Sequence, residues 1–313
     1  MGGLRVLMTG GSGMIGSHLV RRLIAEGHSV SILTRQGGCP ARLRDVADQL
    51  TMLTADLTAA ASVELIAATK PELVFHLAST PFNPPPCPED HLRVNVLGTH
   101  RLLEGLAGGS VRRIVFAGSA AQYGSGDALS EDLPDRPDTL LGASKCGAAA
   151  LLHAHGRRLR LSTVELRLFT PYGPGERPNR LVPHTIGSAM DGRPVLLSSG
   201  RQERDFTYIE DVTDALVRAM KADLPPASVI NICSGQGIRV RSLVERILSQ
   251  MGDPVPLRLD ALPTRADEIW KLSGSNQRAR SWLGWAPQID LEEGLRRTIA
   301  WMAENREMAS TLT

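Results

Sequence analysis

The chain has 313 residues, a formal net charge of +2 and 42% hydrophobic residues, enough to bury a large core in one domain or two, and its dispersed Arg and Lys give no argument for nucleic acid. Four widely spaced cysteines, Cys39, Cys87, Cys146 and Cys233, make neither a paired metal-ligand spacing nor a disulfide framework, so no metal is expected. Without a signal-type segment or a twenty-residue apolar run, the expectation is a soluble cytoplasmic protein with no membrane attachment.

Leu4 to Met8 is an apolar run of strand type. Thr9-Gly10-Gly11-Ser12-Gly13-Met14-Ile15-Gly16 follows, and from Ser17 to Ile24 apolar residues recur three and four apart, a buried helix stripe. Gly11, Gly13 and Gly16 stand in G-x-G-x-x-G register between that strand and that helix, which predicts a dinucleotide site. Glycines let the turn tighten and let the backbone approach a pyrophosphate, and the helix start supplies unpaired N–H groups. Val30 to Leu33 predicts a second strand, whose tip reads Thr34-Arg35-Gln36 with no carboxylate before Asp45. A hydroxyl and a guanidinium suit a ribose 2′-phosphate, so NADP(H) is expected rather than NAD(H).

Strands are predicted again at Glu72–Ala78, Arg113–Ala117 and Val164–Phe169, with helices at Val94–Leu106 and Ser144–His155 between them. This alternation predicts an α/β fold, a doubly wound parallel sheet of Rossmann type. Ligands bind beyond the carboxyl ends of such strands, where Ser79, Ser119 and Thr170 fall. Five prolines between Pro81 and Pro88 predict a stiff loop past one strand tip. After Thr170 the texture changes to a turn, Pro171 to Gly175, and a helix over Leu181–Met190. A strand and helix over Phe206–Met220, a strand at Val229–Ile232, and helices over Val240–Met251 and Leu291–Arg306 complete the chain. The expected organisation is a mainly NADP-binding domain over 1–169 and a smaller, interleaved substrate-binding region over 170–313. Residues 207–233 are expected to return to the main sheet.

These segments together resemble the extended short-chain dehydrogenase/reductase superfamily, which contains sugar-nucleotide epimerases, dehydratases and reductases. The resemblance is carried by Thr9 to Gly16, Asp56-Leu57, His76-Leu77-Ala78, Asn95 to Thr99, Phe116 to Gly124, Ser144-Lys145, Arg204 to Val212 and Trp282 to Trp285. It implies cofactor contacts from Gly10, Gly13, Met14, Ile15 and Gly16 at the turn. It further implies contacts from Thr34, Arg35, Asp56, Leu57, Leu77, Ala78, Ser79, Lys145 and Phe169. Ser119 and Lys145 are implied as catalytic residues, with Lys145 on the nicotinamide ribose. A substrate pocket of Thr80, Ser119, Ala120, Leu141, Thr170, Arg204 and Arg265 is implied in the same way.

The chain departs from that family at two positions. In Leu141-Gly142-Ala143-Ser144-Lys145 a leucine stands where the resemblance implies a proton-transferring tyrosine. Leucine can carry no proton, and Ser119 has too high a pKa for easy acid work without help. Tyr123, on another segment, resembles a family tyrosine of structural type. Thr170 stands where sugar-nucleotide members commonly carry Asn, while Arg204 and Arg265 resemble phosphate contacts or fold-bound ion-pair partners.

A substrate with a hydroxyl beside its carbonyl can supply its own proton path, as polyketide quinones do. The chain is therefore read as resembling atypical ketoreductases of the angucyclinone type found in the simocyclinone pathway. The expected function is NADPH-dependent hydride transfer to a polyketide-like aromatic carbonyl in antibiotic biosynthesis, with substrate-assisted proton transfer. A sugar-nucleotide reductase, epimerase or dehydratase is the alternative, and it predicts a nucleotide between Arg204 and Arg265. A noncatalytic NADP-binding regulator is a third reading. The expected partner is a small molecule, and a homodimer is compatible with the sequence.

Overall fold

The computed structural model describes residues 3–35, 39–80 and 87–312. Strand β1 (Arg5–Thr9) leads through the glycine turn into helix α1 (Met14–Ala25), then β2 (Ser29–Thr34) and β3 (Leu50–Thr54). Helix α2 (Ala61–Ala68) precedes β4 (Leu73–His76). Helix α3 (Pro88–His91), a π-helical turn at Leu92–Leu97 and α4 (Gly98–Gly105) cross over to β5 (Arg113–Ser119). After β6 (Gly126–Leu129) come α5 (Leu140–Leu159), β7 (Ser162–Leu168) and β8 (Thr170–Tyr172). The remainder is α6 (Leu181–Met190), β9 (Val195–Leu196), β10 (Glu203–Tyr208), α7 (Ile209–Lys221) and β11 (Ser228–Ile232). It ends with β12 (Gly237–Arg239), α8 (Val240–Gln250), β13 (Leu257–Arg258), β14 (Lys271–Gly274), α9 (Gln277–Leu283), α10 (Leu291–Glu304) and α11 (Arg306–Thr311).

Seven strands form the main sheet in the order β11-β7-β5-β4-β1-β2-β3. Every pairing in it is parallel. The chain builds outward from β1 in both directions, so the order reverses between β1 and β4, and a crevice opens there at the carboxyl ends. Both faces are covered. Leu19, Leu23, Val212 and Leu216 of α1 and α7 pack on one face. Ile66, Leu102, Leu103 and Leu152 of α2, α4 and α5 pack on the other. Each such side chain contributes about 1.5–3 kcal/mol by leaving water, which is why the central strands are apolar on both sides.

The smaller region has a sheet of order β12-β10-β14-β6, with β8 added beside β10. Its own core joins Tyr172, Val182, Ile186, Phe206, Leu243 and Leu295. The fold is therefore a Rossmann-like parallel sheet with an associated smaller C-terminal region. Residues 203–208 belong to the smaller sheet, while β11 returns to the main sheet beside β7.

One boundary differs from the sequence reading in a way that reaches the site. The helix expected from Ser144 begins at Leu140, because the Thr139 hydroxyl accepts from the Gly142 amide at 3.1 Å and caps it. Leu141 is thus in its first turn. Strands β3, β6 and β14 have no counterpart in the apolar periodicity. β3 is a sheet-edge strand with no fully buried residue, so its pattern is weak. The proline segment lies mostly at 81–86, outside the described residues. Among the described residues no helix is long and apolar enough to cross a membrane, and no cluster of His, Cys, Asp or Glu could hold a metal.

Candidate active site

The glycine turn makes a cradle that a larger residue would fill. Gly10 has φ +75°, and a Cβ there would lie 2.6 Å from the backbone of Leu77 and Ala78. A Cβ on Gly16 would lie 2.3 Å from the Gly10 carbonyl oxygen. The Gly13 amide donates to that same oxygen at 3.1 Å, tightening the turn. No side chain caps α1, and its first turn carries no acid, so Met14 and Ile15 begin a helix whose positive end suits a diphosphate. These residues fit a dinucleotide.

The walls of the cradle come from neighbouring strand ends. The Leu77 amide donates to Thr9 O at 3.0 Å, and the Ala78 amide to the Thr9 hydroxyl at 3.3 Å. Ser79 is exposed just beyond, while Thr80 is buried with its amide on Asn95 Oδ1 at 3.1 Å. Thr34 ends β2 buried, and Arg35 is exposed past it. Leu57 packs into the core under Gly98, and Phe169 under Gly274. The Asp56 carboxylate accepts from the Thr58 amide and hydroxyl, each at 2.8 Å. Burial would raise its pKa, but those bonds, with Arg93 and Arg35 nearby, hold it below the usual carboxylate range.

At the end of β5, Ser119 starts a short 3₁₀ turn. Its hydroxyl accepts from the Ala121 amide at 3.2 Å, and its own amide donates to Gln122 Oε1 at 2.8 Å. Lys145 is buried, with Nζ donating to Ala117 O at 2.7 Å and standing 4.8 Å over the Phe116 ring. Burial lowers the ammonium to about 8, with Glu165 opposing. Leu141 lies one turn before Lys145 and reaches the cleft.

That cleft has a volume of about 350 Å³ and brings together Ser119, Leu141, Thr170, Arg204 and Arg265. Thr80 and Ala120 are outside its lining. Ala120 is buried against Tyr123, Phe169 and Leu272. The Tyr123 hydroxyl donates to Asn231 Oδ1 at 2.8 Å, and burial pushes it up to about 12. Tyr123 is a structural residue, as its sequence context implied. Arg204 donates to Ile269 O at 2.5 Å and to Glu268 Oε1 at 2.6 Å. Arg265 reaches the same carboxylate at 3.4 Å. The cleft also gains Glu176, Asn179, Arg180 and Gln202, which sequence reading did not single out. Their only signal is their place in the loops and helix start after β8.

Residues 6–233 match the family described as the NAD dependent epimerase/dehydratase family. The chain belongs to that family. It is 31% identical to a UDP-glucose 4-epimerase of Mycolicibacterium smegmatis over 311 residues, covering 95% of this chain and 97% of that one. The structure of MoeE5 in complex with UDP-glucuronic acid and NAD is similar at a TM-score of 0.85 and 31% identity, over 96% of this chain and 99% of that one. The UDP-glucose 4-epimerase of Thermotoga maritima with UDP-glucose is similar at a TM-score of 0.87 and 26% identity, over 96% and 99% of the two chains.

Membership in this epimerase/dehydratase family overturns three expectations. The resemblance to an angucyclinone ketoreductase of simocyclinone type fails, and with it the NADPH-dependent reduction of an aromatic polyketide carbonyl in antibiotic biosynthesis. The relatives are sugar-nucleotide proteins. Leu141 reports only that a tyrosine is missing and says nothing of the substrate. The cleft mixes Arg204, Arg265, Asn179, Gln202 and Glu268 with apolar residues, whereas a fused aromatic ketone calls for apolar walls. The expectation of NADP(H) is likewise overturned: the matched family is described as NAD dependent, and NAD is the dinucleotide held in both MoeE5 complexes. Arg35 misled because an exposed guanidinium is not specific for phosphate, and here it shares its field with the Asp56 carboxylate.

Proposed function

We propose that this family member is an NAD-dependent enzyme acting on a UDP-linked sugar, as an epimerase or dehydratase. One observation carries the reading: a single cleft is lined both by Ser119 and Leu141 and by the Arg204–Glu268–Arg265 group. A sugar nucleotide has the matching polarity, with a neutral ring at one end and a diphosphate at the other. Guanidinium groups bind phosphate oxygens through charge-assisted bonds. The relatives' UDP-sugar ligands and names point the same way.

In this reading residues 1–169 hold the dinucleotide, and 170–313 supply most of the sugar-nucleotide wall. NAD, bound along the Gly10–Gly16 turn, supplies the hydride acceptor and donor. Lys145 fixes the nicotinamide ribose, and its buried charge favours electron density developing nearby. Ser119 orients a sugar hydroxyl, and Leu141 packs against the ring. Epimerisation asks least of this chain, because a single proton leaves and returns at one oxygen. Dehydration needs further acid and base groups, and Ala120 and Ala121 beside Ser119 provide none.

The test is incubation of purified protein with NAD and a panel of UDP-hexoses and UDP-uronic acids, followed by NMR of the sugar anomeric protons. A new epimer supports epimerisation, and loss of water in the product mass supports dehydration. Absence of any product, with UDP bound, removes the catalytic reading and leaves a binding protein.

A further inference from the structure

The cleft contains a buried acid that the family reading leaves unused. Glu176 follows β8 through Gly173-Pro174-Gly175, and its amide closes that turn on the Gly173 carbonyl at 3.2 Å. The side chain is 9% exposed and lines the same cleft as Ser119 and Leu141. Its Oε1 accepts a long bond from Arg180 Nε at 3.4 Å. Its Oε2 is shielded from solvent and has no hydrogen-bond partner. An ionised oxygen buried without a donor is strongly unfavourable, so this atom is stable only when it carries a proton or meets a donor from a ligand.

The surroundings make that acid responsive. Arg180 is its ion-pair partner, and Arg177 is adjacent in the chain. Arg42 donates to the Gly175 carbonyl at 2.7 Å, and His18 Nε2 lies 3.0 Å from the Pro174 carbonyl oxygen. The positive charge of Arg180 also reaches Arg204, farther along the cleft wall. Burial pushes Glu176 up to about 7, with Arg180 opposing. Two other hydroxyls considered for proton transfer are less suited. The Ser119 hydroxyl accepts from the Ala121 amide and is assigned to orienting the sugar; it is an alcohol far too weakly acidic to hold the proton's place, and the Tyr123 hydroxyl is spent on Asn231.

We infer that Glu176 takes and returns the proton of the reacting sugar hydroxyl, the task left vacant by Leu141. The inference rests on the UDP-sugar reading. As the sugar is oxidised, its O–H bond breaks and the proton passes to the Glu176 carboxylate. The electron pair of the neighbouring C–H bond leaves as hydride to the nicotinamide dinucleotide, which is reduced, and the C–O bond becomes a carbonyl. Reversal of both transfers restores an alcohol and regenerates the carboxylate.

The experiment compares wild type, Glu176→Gln and Arg180→Met, using NAD and whichever UDP-sugar the wild type converts. Glutamine keeps the size and an acceptor for Arg180 but cannot exchange a proton. The expected result is a fall in kcat of about 10²–10⁴-fold, the range for general acid–base catalysis, with UDP affinity by calorimetry and melting temperature retained. The wild-type rate should fall on the acid side of neutrality, where Glu176 is protonated, and this limb should vanish in Glu176→Gln. Arg180→Met should move the limb to higher pH, because a cation that favours the carboxylate is gone. Wild-type turnover in Glu176→Gln, or an unmoved limb in Arg180→Met, overturns the proposal. If Glu176→Gln does not fold, the Arg180→Met limb decides alone. A wild-type protein that binds UDP but converts no UDP-sugar overturns the parent reading and this one together, an outcome distinct from an indifferent Glu176→Gln.

Discussion

Lys145 donates a 2.7 Å hydrogen bond to the carbonyl oxygen of Ala117, so an α5 side chain is tied across to the end of β5. The bond satisfies a buried ammonium and sets the lysine beside the strand that carries Ser119. Asn95 adds a second tie, donating to the Ser144 hydroxyl at 2.8 Å and accepting from the Thr80 amide. The start of α5 is therefore held between two strand ends by polar contacts rather than by apolar packing alone.

Lys145→Met should keep the fold and much of the volume while losing this bond and the charge. Turnover of the UDP-sugar should drop by about 10²-fold, as expected for misplacement of a reacting partner, and NAD affinity should weaken. Steady-state kinetics and NAD titration check both, and wild-type values in each would remove Lys145 from cofactor positioning.

Arg35→Ala should leave NAD affinity within about threefold, less than 1 kcal/mol. The guanidinium is exposed, and screened surface charges contribute little. Calorimetric titration with NAD and NADP distinguishes this from a phosphate site. A tenfold or larger preference for NADP, on the order of 1.4 kcal/mol, lost in the variant, would restore Arg35 as a 2′-phosphate ligand.

Gly16→Ala should impair both folding and cofactor binding. The added Cβ would sit 2.3 Å from Gly10 O and 2.6 Å from Gly11 Cα, and both are backbone atoms that cannot swing aside. Overpacking of this kind costs about 1–3 kcal/mol, read as a lower urea midpoint. Gly187→Ala, where a Cβ meets nothing within 4 Å, is the control and should be near neutral.

His76 bears on acid stability. It is fully buried between the Thr9 hydroxyl at 2.6 Å and the Thr99 hydroxyl at 2.8 Å. Burial, helped by Lys145, lowers its pKa to about 3. The unfolded chain takes up a proton below the ordinary value of 6.5 while the folded chain does not. Stability from this group is therefore intact above 6.5 and is lost as pH falls from there toward 3, with a slope approaching about 1.4 kcal/mol per pH unit. Denaturant melts across that window should show a shallower slope for His76→Asn than for wild type. Equal slopes would mean that His76 is not kept neutral.

The strand–glycine–helix unit, the parallel sheet and the family resemblance were legible in the residues because local periodicity and turn chemistry specify them. Leu4 to Met8, Val30 to Leu33 and Arg113 to Ala117 are apolar runs that only a sheet covered on both faces can bury, and they became β1, β2 and β5. The chemistry was less legible. Leu141 drew attention to a missing proton donor, but a missing group does not specify a substrate, and reading one into it led to the wrong ligand, while Arg35 led to the wrong dinucleotide. Glu176 had no local signal, since a glutamate in a Pro-Gly-Glu-Arg loop reads as solvated surface. Tertiary packing removed it from water, left it paired with Arg180 at 3.4 Å and set it on the cleft with Ser119. Sequence spacing determines which faces an element presents. Burial and electric field at one side chain depend on every element packed around it, and only the folded chain decides those.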